Sequence, residues 1–136
     1  MILIVCVDDE MGMAFNGRRQ SRDRVVCHDI VDMAGGKPIL MNERSLKLFD
    51  GEEGVFCAVR DGFDGIGAGE VCFIEFEPVE KMAERAEKVI LYRWNRRYPA
   101  DLHCAIPLEK WKKEETVEFQ GYSHELITRE VYVHER

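Results

Sequence analysis

The sequence predicts an α/β chain: a mixed, mostly parallel sheet with flanking helices and a C-terminal antiparallel hairpin. Three observations lead there. Residues 2–7, Ile-Leu-Ile-Val-Cys-Val, form an unbroken apolar run without helical period, as a strand buried on both faces does. Segments of helical period then alternate with short apolar runs, the order that lays helices on the faces of a sheet. Last, Leu126–Val133 alternates like a strand with one solvated face.

After the opening strand, Gly12–Gln20 has no period and is expected to be a surface loop, with Ser21 capping the first helix. Val25, Val26, Ile30, Val31 and Met33 predict that helix over 23–33, stopping at Gly35-Gly36. Residues 38–41 form a short strand, and 45–49 a short helix closed by Asp50-Gly51. Strands are expected at 55–59 and 71–76, separated by a flexible stretch holding Gly62, Gly65, Gly67 and Gly69. Val79, Met82, Ala83 and Ala86 then share one face of an amphipathic helix within 78–87. Residues 89–94 resume as a strand, Trp111 ends a polar loop, and an antiparallel pair closes the chain.

A length of 136 residues supports one core and, by expectation, one domain over 1–136. The five cysteines are odd in number and lack Cys-x-x-Cys spacing, so they read as buried reduced thiols of a cytoplasmic protein. The apolar start has no basic flank and runs at once into Asp8-Asp9-Glu10, which fits neither a secretory signal nor a membrane span. His28, His103, His124 and His134 lack metal-ligand spacing, and no metal site is expected. A net charge of −7 disfavours nucleic acid, whose backbone is bound chiefly by Lys and Arg. Two basic patches run against that trend: Arg18, Arg19, Arg22 and Arg24, and Arg93 with Arg96 and Arg97. The first weighs evenly as a solvated face or an anion site. The second reads more simply as a strand end with snorkelling arginines.

Several segments, in order, resemble dihydrofolate reductase. The first strand followed by Gly12-Met13 and Asn16 is similar to that family's first strand and mobile loop. Lys37-Pro38-Ile39-Leu40-Met41, with Ser45 beyond, resembles its Lys-Pro-Val-x-Met-Gly-Arg-x-Thr segment. The stretch from Lys88 to His103 matches without a gap, with Ala100-Asp101-Leu102-His103 standing at the family's Asp-Thr-x-Phe-Pro signature. Trp111 and the stretch from Ser123 to Arg136 resemble the family's closing hairpin. The chain is shorter than typical members between Phe49 and Val71.

The resemblance implies a set of site positions. Asp23 is the carboxylate nearest the family's substrate anchor on the first helix, reached with an insertion of about three residues from helix pitch; without it, Val26 takes the place. Read on its own chemistry, Asp23 is more simply a helix-start carboxylate. Tyr92 matches the Thr that partners the anchor, and Asn16, Arg18, Arg19 and Ser45 fall on ligand-contacting segments. Asn42-Glu43 replaces the family's Gly-Arg pair, with Arg44 one residue away. The glycine pair that lets the backbone approach the NADPH pyrophosphate corresponds to Glu75 and Phe76. A side chain blocks that approach, and a carboxylate repels phosphate.

The resulting expectation is a diverged frame without NADPH-dependent reductase activity and needing no cofactor, which binds a small anionic ligand or a protein partner. One alternative is an NADPH-dependent reductase of a pterin-like substrate, with Asp23 aiding protonation and Arg44 or Arg18 holding phosphate. The other is a nucleic-acid-binding module that uses the arginine clusters. No membrane partner is expected.

Overall fold

The computed structural model describes residues 1–134; the charged end at 135–136, part of the stretch matched to the family's last strand, lies outside them. A sheet of seven strands runs β5-β4-β6-β1-β7-β10-β9. In chain order these are β1 (Ile2–Val7), β4 (Ile39–Met41), β5 (Phe56–Ala58), β6 (Val71–Phe73), β7 (Lys88–Arg93), β9 (Trp111–Phe119) and β10 (Ile127–His134). β1 pairs parallel with β6 and β7, and β4 pairs parallel with β5 and β6. β10 turns antiparallel to β7 and β9. The mixed sheet and closing hairpin are those the sequence predicts.

Parallel neighbours need crossover connections. Helix α1 (Arg24–Ala34) follows β1 and precedes β4, and helix α2 (Glu80–Arg85) links β6 to β7. Strand alternation divides the core into two layers. Leu3, Val5, Val89 and Leu91 pack with Val79, Met82 and Ala83 of the α2 side. Ile4, Ile90 and Tyr92 pack with Val26, Cys27 and Ile30 of α1. Each Val, Leu, Ile or Met side chain among them, removed from water, stabilises the fold by about 1.5–3 kcal/mol.

Four expectations are corrected in detail. Residues 12–20 are not an open loop: β2 (Gly12–Phe15) and β3 (Arg18–Arg19) form a hairpin, and β8 (Leu102–His103) pairs on the other side of β2. The turn is Asn16-Gly17, with φ of 51° and 69°, the doubly left-handed geometry for which Asn-Gly is suited. Asp23, not Ser21, caps α1, accepting from the Val25 and Val26 amides. The glycine-rich stretch is pinned by Arg85, which donates to the carbonyls of Phe63, Asp64 and Ile66. Among the cysteines, Cys27, Cys72 and Cys104 are buried, while Cys6 and Cys57 are only half-buried; all are free thiols.

The turn between β1 and β2 is organised by Asp8, which is 1 % exposed. Its carboxylate accepts from the amides of Glu10, Gly12 and Tyr98 and from the side chain of Gln20. Those bonds outweigh the burial that would raise its pKa and hold the carboxyl below its ordinary value. They also bring the segment carrying Tyr98 against the hairpin.

Gly12 has no room for a side chain: a Cβ there would lie 2.6 Å from the Ala100 Cβ and 2.9 Å from Asp8 Oδ1. Gly12→Ala is therefore expected to destabilise the protein by about 1–3 kcal/mol, read as a lower urea midpoint. An unchanged midpoint would contradict this packing.

Candidate functional site

Asp23 sits at the N-terminus of α1 with its side chain 0 % exposed. Across from it, the connection between β9 and β10 makes a tight turn in which the Gly121 amide donates to the His124 carbonyl. That turn presents the amides of Tyr122 and Ser123 to the Asp23 carboxylate at 2.9 and 2.8 Å. The Ser123 hydroxyl adds a bond at 3.2 Å and His124 Nδ1 one at 3.0 Å. One carboxylate thus holds the start of α1 to residues about a hundred positions away in sequence. Burial acts to raise the Asp23 pKa, but the bonds from Tyr122, His124, Ser123 and Val25 outweigh it and hold the carboxyl far below the usual range.

The other nitrogen of His124, Nε2, lies 3.0 Å from Ser21 Oγ and 3.1 Å from the Tyr98 hydroxyl. The imidazole stacks on Trp94 with centroids 4.7 Å apart and planes at 25°, so its ring is fixed from the side as well as from both edges. Because an ionised carboxylate only accepts, the proton on His124 Nδ1 points at Asp23.

Around this cluster lie two spaces of very different size. An open groove of about 770 Å³ runs between the start of α1, residues 48–52 and the β9–β10 turn. Arg22, Arg24 and His28 line it, with Asp50 and Glu52 opposite. Arg24 stacks over Tyr122 at 4.0 Å, and His28 approaches Glu52 at 3.4 Å. Deeper, between α1 and the ends of β1 and β6, the cavity bounded by Cys6, Val26, Ile30, Phe73 and Trp94 measures about 20 Å³. That is room for about one water. Cys27, on the wall between the two, has its thiol pushed up to about 12 by burial and the charge of Glu52, which keeps it unreactive.

The remaining predicted positions fall into separate groups. Arg19 donates two bonds of 2.8 Å to Glu75, a bidentate pair in which the carboxylate side chain is 8 % exposed. Arg44 lies 4.1 Å over the Phe76 ring and donates to the Gly17 carbonyl. Both residues at the glycine-pair positions are therefore covered by arginines from the neighbouring hairpin and from the 3₁₀ helix Glu43–Phe49. That neutralises Glu75, but the arrangement does not fit a pyrophosphate, whose approach to the backbone there is blocked by two side chains and their guanidinium partners.

Asn16 and the exposed Arg18 border a shallow groove of about 460 Å³ with Tyr98 and Pro99, and the Asn16 amide donates to Asp101 at 3.1 Å. Ser45 is fully buried, its hydroxyl unpartnered among the described residues. Tyr92 does not meet Asp23; its hydroxyl donates to Asp29 at 2.6 Å, and Asp29 is braced by two bonds from Arg129. In the second basic patch Arg93 pairs with Glu130 at 2.6 Å, Arg97 pairs with Glu10 at 3.0 Å, and Arg96 donates to the Ser123 carbonyl at 3.2 Å.

Sequence reasoning did not single out Asp29 or assign His124 a role. Asp29 carried no signal: six residues from Asp23, it lies on a different face of the predicted helix. His124 had none, because apart from the adjacent Ser123 hydroxyl its partners are 26 to 103 positions distant. Among the described residues there is no cluster of three or more metal-ligating side chains, and no helix is long and apolar enough to cross a membrane.

No protein-family model matches the chain, and no curated protein matches it. Among solved structures the chain is similar to dihydrofolate reductase from Enterococcus faecalis complexed with NADP(H) and RAB-propyl. The TM-score is 0.70 over 99% of this chain and 96% of that chain, at 9% identity. A likeness at that identity establishes the fold: the protein has a dihydrofolate-reductase-like architecture.

The Asp23 bonds make stability pH-dependent. A carboxyl whose folded pKa is depressed contributes fully above the ordinary carboxylate range near pH 4 and loses that contribution as pH falls toward the folded value. Wild-type stability is expected to decline steadily below about pH 4, and Asp23→Asn to cost about 2–3 kcal/mol at pH 7 while flattening that decline. Parallel acid profiles for the two proteins, measured by chemical denaturation, would contradict the assignment.

Proposed function

We propose that this protein uses a dihydrofolate-reductase-like frame without NADPH-dependent reduction and binds a small anionic ligand in the groove beside Asp23. The observation that carries the reading is the contrast in space, together with one arginine on the groove wall that no carboxylate among the described residues pairs. The inner cavity holds about one water, too little for a bicyclic ring, while the outer groove of about 770 Å³ keeps Arg22 and Arg24 on its wall. Arg22 makes no ion pair among the described residues, so its guanidinium is free to take a carboxylate or phosphate.

In this reading Asp23 positions the groove wall and does not protonate a substrate, because its oxygens are committed to internal donors. Three of the seven arginines counted toward nucleic acid are already paired within the molecule: Arg19, Arg93 and Arg97 each face a carboxylate. The reductase alternative needs the inner cavity to open and Glu75 to leave the path of the phosphates, and it gains no support from the bidentate Arg19 pair.

The test is a titration of the pure protein with NADPH, dihydrofolate, citrate and pyrophosphate, followed by the fluorescence of Trp94, with absorbance monitoring NADPH oxidation. Citrate or pyrophosphate is expected to saturate, with affinity reduced about tenfold in Arg22→Ala by loss of one charge-assisted contact. NADPH and dihydrofolate are expected to give neither turnover nor saturation of the inner cavity. Saturable NADPH binding with oxidation would reinstate the reductase.

A further inference from the structure

Ser21, His124 and Asp23 form a chain that anion binding does not require. Asp23 takes the helix cap, which leaves the Ser21 hydroxyl without a backbone duty: its bonds among the described residues are to His124 Nε2 at 3.0 Å and from Tyr98 at 3.3 Å. On the far edge of the ring, Nδ1 meets Asp23 at 3.0 Å. Both distances lie within the range that activates a hydroxyl nucleophile through an oriented base. His124 is 4 % exposed and stacked on Trp94, so the base cannot swing away, whereas Ser21 is only half-buried.

The hydrogen-bond directions are consistent along the whole chain. The Asp23 carboxylate accepts from Nδ1, which makes Nε2 of neutral His124 an acceptor. The Tyr98 hydroxyl lies 3.1 Å from Nε2 and 3.3 Å from Ser21 Oγ, to which it donates; with that donation made to Oγ, the serine proton is the one left for Nε2. Ser21 borders the inner cavity, which admits about one water, and not the groove; Arg22, its neighbour, lines both, so an ester seated in the groove has to present its carbonyl past Arg22.

We propose that Ser21 is the nucleophile and His124 the general base of a hydrolase site that cleaves small carboxylic esters bearing an anionic group, with Asp23 as the positioning residue. Ser21 Oγ bonds to the ester carbonyl carbon while its proton passes to His124 Nε2. The tetrahedral adduct collapses with cleavage of the bond to the alcohol oxygen, which takes the proton from Nε2. Water then attacks the acyl-serine, giving its proton to Nε2; the acid leaves, and Oγ recovers the proton. The sum is ester plus water to acid plus alcohol, with no change of oxidation state. The anionic substrate class rests on the groove reading above; the nucleophile does not.

The experiment treats the wild-type protein with a fluorophosphonate probe and locates any adduct by peptide mass spectrometry. In parallel, 4-nitrophenyl acetate and mono-4-nitrophenyl succinate are offered to wild type, Ser21→Ala, His124→Gln and Arg22→Ala. The expected result is a single adduct on Ser21, and ester cleavage reduced about 100-fold or more in Ser21→Ala and His124→Gln. The succinate ester is preferred, and Arg22→Ala abolishes that preference. Because labelling is read on wild type, failure of a variant to fold does not shield the proposal. An unlabelled protein, or a label elsewhere, overturns the nucleophile even if citrate still binds. A Ser21 adduct with equal cleavage of both esters keeps the nucleophile and overturns the anionic class together with the groove reading.

Discussion

One buried carboxylate ties this fold together at the site. Asp23 accepts from the Val25 and Val26 amides of its own helix, the Tyr122 and Ser123 amides, the Ser123 hydroxyl and His124. Buried polar groups are costly when unpaired, so the turn between β9 and β10 has to lie where its amides face the helix start. The edge of the sheet and the first helix are thereby fixed as a unit. Gly121 shows how close the approach is: a Cβ there would come within 2.6 Å of Asp23 Oδ2.

A second consequence concerns the cleft. Positions that differ from the reductase pattern look, in one dimension, like independent losses: Arg18-Arg19 in the loop, and Glu75-Phe76 where glycines are expected. In space they compensate one another. Arg19 forms a bidentate pair with Glu75, and Arg44 covers Phe76. A cation has been supplied for the added carboxylate and a ring for the added guanidinium, so the hairpin of β2 and β3 closes over the end of β6. A surface pair of this sort is worth little when fully solvated, but Glu75 is largely withdrawn from water and its geometry is bidentate.

The sheet was legible in the sequence because burial on two faces writes long apolar runs, at β1 and β7; β10 was found from its alternation, but the expected solvated face is absent, since Ile127 and Val131 pack into one layer and Tyr132 into the other. The helix α1 was legible from its spacing and its glycine stop. Short elements were not: β3 and β8 are two residues each, too brief for any period, and only the Asn16-Gly17 pair marked the hairpin of β2 and β3. At the site, Asp23 was visible as a helix-start carboxylate, and the structure places it there as the cap. Its link to His124 was not, since nothing local to residue 124 records a partner 101 positions earlier. The Tyr92 contact was misassigned for a related reason: the carboxylate it reaches is set by the rotation of α1 against β7, which places Asp29 rather than Asp23 beneath the hydroxyl.

The central claim is that Asp23 fixes His124 with its proton on Nδ1 and its Nε2 open to the Ser21 hydroxyl. Nitrogen-15 NMR of the imidazole at neutral pH reads that directly. The account predicts a slowly exchanging proton on Nδ1 and an Nε2 that accepts a hydrogen bond, a pattern lost in Asp23→Asn. A ring protonated on Nε2, or one averaging between tautomers as a solvated histidine does, would contradict it.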